Sequence, residues 1–173
     1  MKRTPWVERK FDFSLPVGIF PNVLERLEGT PARLEEMVNT LPPTILIARI
    51  DGKWSIQEHA GHLWDLEELH DGRINDYLKR TEILRPADMK NEKTYKANHN
   101  ANSLQKILTS FRGSREHFVK RLEALDDETI AFASVHPRLK QPMHVVDFAY
   151  FVAEHDDHHL ASIQEVSRVL QNS

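Results

Sequence analysis

Two short runs carry histidines at spacings that suit chemistry: His59-Ala-Gly-His62, and His155-Asp-Asp-His158-His159. Imidazole is the commonest metal ligand and the side chain that titrates nearest neutrality. Advancing about 100° per residue, His159 lies about 20° from the centre of the apolar stripe between Val152 and Ile163. His155 lies about 60° from it, and His158 about 120° away, toward solvent. His155 and His159, at i and i+4, therefore stack one turn apart on an inward face. Paired histidines hold a divalent ion in this way. Glu154, Asp156 and Asp157 crowd the same turn, with Asp156 only about 40° from the stripe centre. A buried acid there reads as a partner that orients a ligand imidazole through its second nitrogen. The run is not a metalloprotease HExxH, because no Glu follows His155.

A catalytic zinc or nickel site needs a third protein ligand and an open position. The preceding histidine-rich segment offers His59, His62 and His70. The helical wheel favours His59 and His70; His62 sits at the stripe edge, about 100° from its centre. Periodicity leaves the choice open. Glu58 reads first as a helix cap, and second as a residue orienting an imidazole. Glu67 lies on the inner face and reads either as a proton carrier or as the partner of a core Tyr or Arg. The chain has no cysteine, so a sulfur nucleophile must arrive with a substrate.

Four helical patterns must position these groups. They run over about 19–38, 55–81, 103–125 and 143–170. The first is interrupted at Thr30-Pro31, read as an N-cap followed by proline at the first helical position. The second opens on Ser55-Ile-Gln-Glu58, a capping box. Asn102 or Ser103 can cap the third, and Pro142 precedes the fourth. No alternating run is long enough to predict a strand. The polar stretch 91–100 reads as loop, with His99 in it, and His136 falls in another. His136-Pro-Arg138 reads as a turn, with rimming of a pocket as the second reading. His70, His117 and His144 are assigned to surfaces or partly buried edges. Trp64, off the stripe, is expected to be exposed, a candidate dimer contact. The reading is all-α: a four-helix bundle in one domain over 1–173, with an irregular extension over about 1–17.

Composition excludes several classes. The 173 residues carry 23 Lys and Arg against 26 Asp and Glu, a net charge of −3, without the basic stripe of a nucleic-acid binder. No window approaches the roughly 18 apolar residues of a membrane span. With no signal-peptide pattern at the N-terminus, the expected location is the cytoplasm.

Gly52-Lys-Trp54-Ser55-Ile-Gln-Glu58-His59-Ala-Gly-His62-Leu63 resembles the opening of the second helix in the DinB/YfiT-like superfamily. His155-Asp-Asp-His-His159 resembles that family's late H-x-x-x-H, and Leu27-Glu-Gly-Thr30-Pro31-Ala-Arg-Leu34 also has its look. The resemblance spans roughly 24–166. It implies a four-helix bundle binding a divalent metal, nickel or zinc, through His62, His155 and His159, with His59 left as the alternative ligand. It further implies a homodimer and a small-molecule substrate, in some members a low-molecular-weight thiol. Two functions follow as expectations: a metal-dependent S-transferase or hydrolase, or a non-catalytic metal-binding, stress-response module.

Overall fold

The computed structural model describes residues 3–172. The first rod is two helices, α1 (Phe20–Glu28) and α2 (Thr30–Val38). They are parted at Gly29, because Pro31 cannot donate to the ladder of α1. Gly29, not Thr30, occupies the cap position. The Thr30 hydroxyl instead lies 3.0 Å from Asp156 Oδ2. A short α3 (Pro43–Ile47) leads to α4 (Ile56–Leu78). The expected capping box opens α4: the Glu58 amide donates to Ser55 Oγ at 3.2 Å, and the Ser55 amide donates to Glu58 Oε2 at 2.9 Å.

The stretch read as polar loop holds α5 (Glu92–Ala97) and a 3-10 turn over His99–Ala101. Next come α6 (Leu104–Glu123), α7 (Asp127–Ala131) and α8 (Val145–Gln171). Ser103 stands at the cap position of α6 without a side-chain capping bond. Between α7 and α8 lies an antiparallel hairpin of β1 (Ala133–Val135) and β2 (Pro142–His144), in register Ser134 to Met143. It corrects the strand-free reading and moves the start of α8 two residues on. Three-residue strands are too short to show alternation.

Four rods form the bundle. Both α1 and α4 pack against α6 and α8, so α4 and α8, which carry the two histidine runs, are neighbours. Apolar clusters fill the two ends. One gathers Leu27, Ile74, Tyr77, Phe118, Phe148 and Val152; the other gathers Leu34, Leu63, Phe111 and Ile163. Between them each rod contributes a buried polar residue to one layer: Thr30, Glu67, Arg115 and Asp156. Arg115 donates to Glu67 Oε1 at 2.7 Å, to Asp156 Oδ2 at 2.5 Å and to Leu27 O at 3.2 Å. Burying a guanidinium is costly, and this pairing offsets the cost.

Residues 3–16 cross α8 as a strap. Arg3 donates to His158 O and Ser162 Oγ. Trp6, Phe11 and Phe13 pack on Phe151. The part of the N-terminal extension within the described residues is thus mostly irregular backbone, with a 3-10 turn at Trp6–Glu8. Residues 1 and 2 lie outside the described residues. Trp64 is half-buried against Leu63's cluster, not exposed as its wheel position suggests.

Candidate metal centre

The capping box fixes where α4 begins, and with it the direction of every side chain that follows. His62 then faces α8, where His155 and His159 stand one turn apart. The Nε2 atoms of His155 and His159 are 3.1 Å apart. One ligand atom from each of His62, His155 and His159 lies within 4.8 Å of the other two, and all three residues are buried. Among the described residues no other three metal-ligating side chains converge in this way.

The donor chemistry fits a cation. Two imidazole nitrogens each about 2.0–2.1 Å from a shared ion stand roughly 3 Å apart. Burial pushes His62 down to about 3 and, joined by the neighbouring imidazoles, holds His155 and His159 well below the ordinary histidine range. All three are therefore neutral at pH 7, as ligands must be. The far nitrogens are partly engaged. His62 Nδ1 is 2.9 Å from Thr94 Oγ1, and His159 Nδ1 is 2.8 Å from His59 Nδ1. His155 Nδ1 is buried without a hydrogen-bond partner. His59, the alternative ligand of the sequence reading, thus stands behind His159, its own proton affinity lowered to about 4 chiefly by burial.

The acids read as imidazole partners lie elsewhere. Asp156 bonds Arg115 and Thr30, not a histidine. Glu58 serves as the cap and pairs with Arg49 through both oxygens. Glu67 lies outside the wall of the histidine-lined cavity. Burial alone would raise the Glu67 carboxyl, but Arg115 and then His70 hold it below the usual carboxylate range. Glu67 is thus the buried partner of an Arg, the second of its two readings, and an ionised salt-bridged carboxylate is a poor proton carrier. Glu154 pairs with Arg9 and Arg26, and Asp157 with Arg26 and Arg33. Every acid flanking the late histidines is taken by an arginine.

Two residues were missed or misplaced. Thr94 sits on a six-residue helix inside a polar run, where no stripe forms to mark it. His70 is buried, as the wheel indicated, and not at a surface edge; its Nδ1 is 3.3 Å from Glu67 Oε1. His144 caps α8 through its amide, which donates to Asp147 Oδ2, and His117 is exposed. His99 is buried against Asp65 at 2.8 Å. His136 fills both of its readings. Its Nδ1 accepts from the Arg138 and Leu139 amides, and its ring lines the cavity.

That cavity, about 520 Å³, is open to solvent and holds all three clustered histidines in its wall. Trp6, Trp54, Leu66, Leu69 and Phe151 make much of the rest apolar. His70 reaches the same wall.

The fold has a solved counterpart. The chain is similar to YfiT from Bacillus subtilis, with a TM-score of 0.81 and 23% identity, over 95% of this chain and 94% of that one. YfiT is described as a probable metal-dependent hydrolase with an unusual four-helix bundle topology. At that identity the likeness is one of fold. No curated protein matches the chain significantly in sequence. The family model of the DinB superfamily matches residues 26–163, from the end of α1 through both histidine runs to the last core residue of α8. On the strength of that match the chain belongs to the DinB superfamily.

Proposed function

We propose that this chain is a cytoplasmic, metal-dependent enzyme that transforms a small molecule at His62, His155 and His159, by hydrolysis or by transfer to a thiol. The observation that carries the reading is the convergence of three neutral, buried imidazoles on the wall of an open cavity. Structural sites are closed by protein ligands, whereas catalytic sites keep a position free. The open cavity thus favours catalysis over the non-catalytic, stress-response module.

Three histidines would hold the ion, nickel or zinc, without neutralising it. A divalent ion there supplies Lewis acidity, making a water or thiol more acidic. The chain's own groups do the rest. Thr94 and His59 orient two of the imidazoles. Trp54 packs over His62, with ring centroids 4.7 Å apart, and Trp6 edges against His155 at 5.0 Å. Both indoles exclude water from the outer sides of these rings. His70, backed by Glu67, takes the proton-carrying part that the sequence reading gave to Glu67. A substrate thiol supplies the sulfur that the chain lacks. The homodimer implied by the family resemblance belongs to the same reading, and sedimentation tests it.

The deciding measurement is elemental analysis of protein purified without a nickel-affinity step. About one divalent ion per chain, lost in the His155→Gln, His159→Gln double variant, is expected. Turnover of thiol-acceptor or ester substrates should vanish on chelation. A metal-free preparation that takes up no nickel or zinc would sink the reading.

A further inference from the structure

The cavity wall contains two guanidinium groups with no carboxylate in ion-pair contact among the described residues. Arg73 lies on α4, eleven residues after His62. That is about 16 Å along the axis and only about 20° around it. Arg73 is 2% exposed. Its Nε and Nη2 both donate to Arg85 O, at 3.2 and 3.1 Å, and Nη1 has no partner among the described residues. Arg138 lies in the hairpin loop. Its Nη1 reaches Val7 O at 3.4 Å, and its Nη2 is buried without a hydrogen bond. Neither arginine is in a salt bridge among the described residues, and both line the cavity.

The nearby acids have other hydrogen-bond partners. Asp76 attracts Arg73 through space, but its hydrogen bonds go to Arg85, through both oxygens at 2.9 and 2.8 Å. Asp88, in the same wall, keeps its charge; it accepts the Lys90 and Glu92 amides and makes no ion pair with either arginine. Burial lowers Arg73 to about 10 and lowers Arg138, while burial and then these two cations push His136 down to about 3. Desolvated cations without a salt bridge are costly, and a ligand anion relieves that cost. Guanidinium forks match carboxylate and phosphate oxygens.

We propose that Arg73 and Arg138 form an anion subsite, which holds a carboxylate or phosphate of the substrate while its apolar body lies along Leu66, Leu69 and Phe151 toward the histidines. This deepens the reading of the cavity as a substrate site by giving its ligand a charge.

The test is calorimetric titration of the full chain, as purified and again after dialysis against a chelator. The probes are phenylacetate, phenyl phosphate and the neutral phenylacetamide. At least tenfold tighter binding of one anion than of the amide is expected, retained after metal removal; the tighter of the two anions identifies the source of the charge. Arg73→Gln should lose at least tenfold of that affinity. Arg138→Gln, a half-buried loop residue without an ion pair, should fold and lose as much, with amide binding unchanged. Equal binding of amide and anions, no anion binding at millimolar concentration, anion binding that disappears with the metal, or full affinity in Arg138→Gln would each overturn the proposal. Since the decisive titration is metal-free, failure of the metal reading shows in elemental analysis and failure of this one in the calorimeter.

Discussion

Thr94 Oγ1 lies 2.9 Å from Nδ1 of His62, a contact between a six-residue helix and the second rod of the bundle. Donation from Nδ1 to the hydroxyl leaves the Nε2 lone pair of His62 free, which is the state a metal ligand needs. Partners of this kind typically change metal affinity by about 10–100-fold. Thr94→Val, nearly the same in shape, should weaken zinc or nickel binding by about that factor in competition with a chromophoric chelator, with little change in the melting temperature of metal-free protein. Unchanged affinity would make the contact incidental.

The layer of Glu67, Arg115 and Asp156 separates stability from metal binding. Breaking a buried ion network by removing one partner costs about 3–5 kcal/mol. Arg115→Met strands two carboxylates and should lower urea stability by that order. Asp156→Asn should also destabilise, while its folded fraction keeps the metal affinity of the parent. A loss of affinity instead would return Asp156 to the imidazole-orienting part read from its place in the sequence.

Gly61 faces the His99 ring so closely that an added Cβ would stand 2.2 Å from it. That ring is buried and tied to Asp65, so it cannot retreat cheaply. Gly61→Ala should cost roughly 1–3 kcal/mol, the usual range for overpacking, read from urea unfolding. A neutral result would show that the 3-10 turn at His99–Ala101 moves freely.

Acid should destabilise the metal-free protein well before its ion pairs titrate. His136 is held at about 3, first by burial and then by Arg73 and Arg138, against an ordinary value of 6.5. The unfolded chain therefore binds a proton first. Stability is full above about 6.5 and falls as pH drops toward 3. Melting temperatures in chelator should decline over that window. His136→Asn, whose carbonyl can still accept the Arg138 and Leu139 amides, should show a shallower decline. Identical slopes would exclude His136 as a source.

Much of this was legible in one dimension. The stripes of the long helices, the Ser55–Glu58 cap and the i, i+4 spacing of His155 and His159 are local features, set by backbone geometry and helical period. They determined a helical bundle and an inward histidine pair. Even the polar layer is written in the stripes: Arg115 stands between Phe111 and Phe118, and Asp156 between Val152 and Ile163. Which charges meet was not written there. The wheel ranked His62 below His59 and His70, because a wheel measures distance from one helix's own apolar centre. It does not show which flank a neighbouring helix covers. Only the packing of α4 beside α8 put His62 with the late pair and set His59 behind His159, and only the packing of the N-terminal strap, α1, α2 and α6 around α8 gave Glu154, Asp156 and Asp157 their arginines. The cavity, the Thr94 contact and the placing of Arg73 and Arg138 without salt bridges likewise depend on segments far apart in the chain, joined by contacts that no local period encodes.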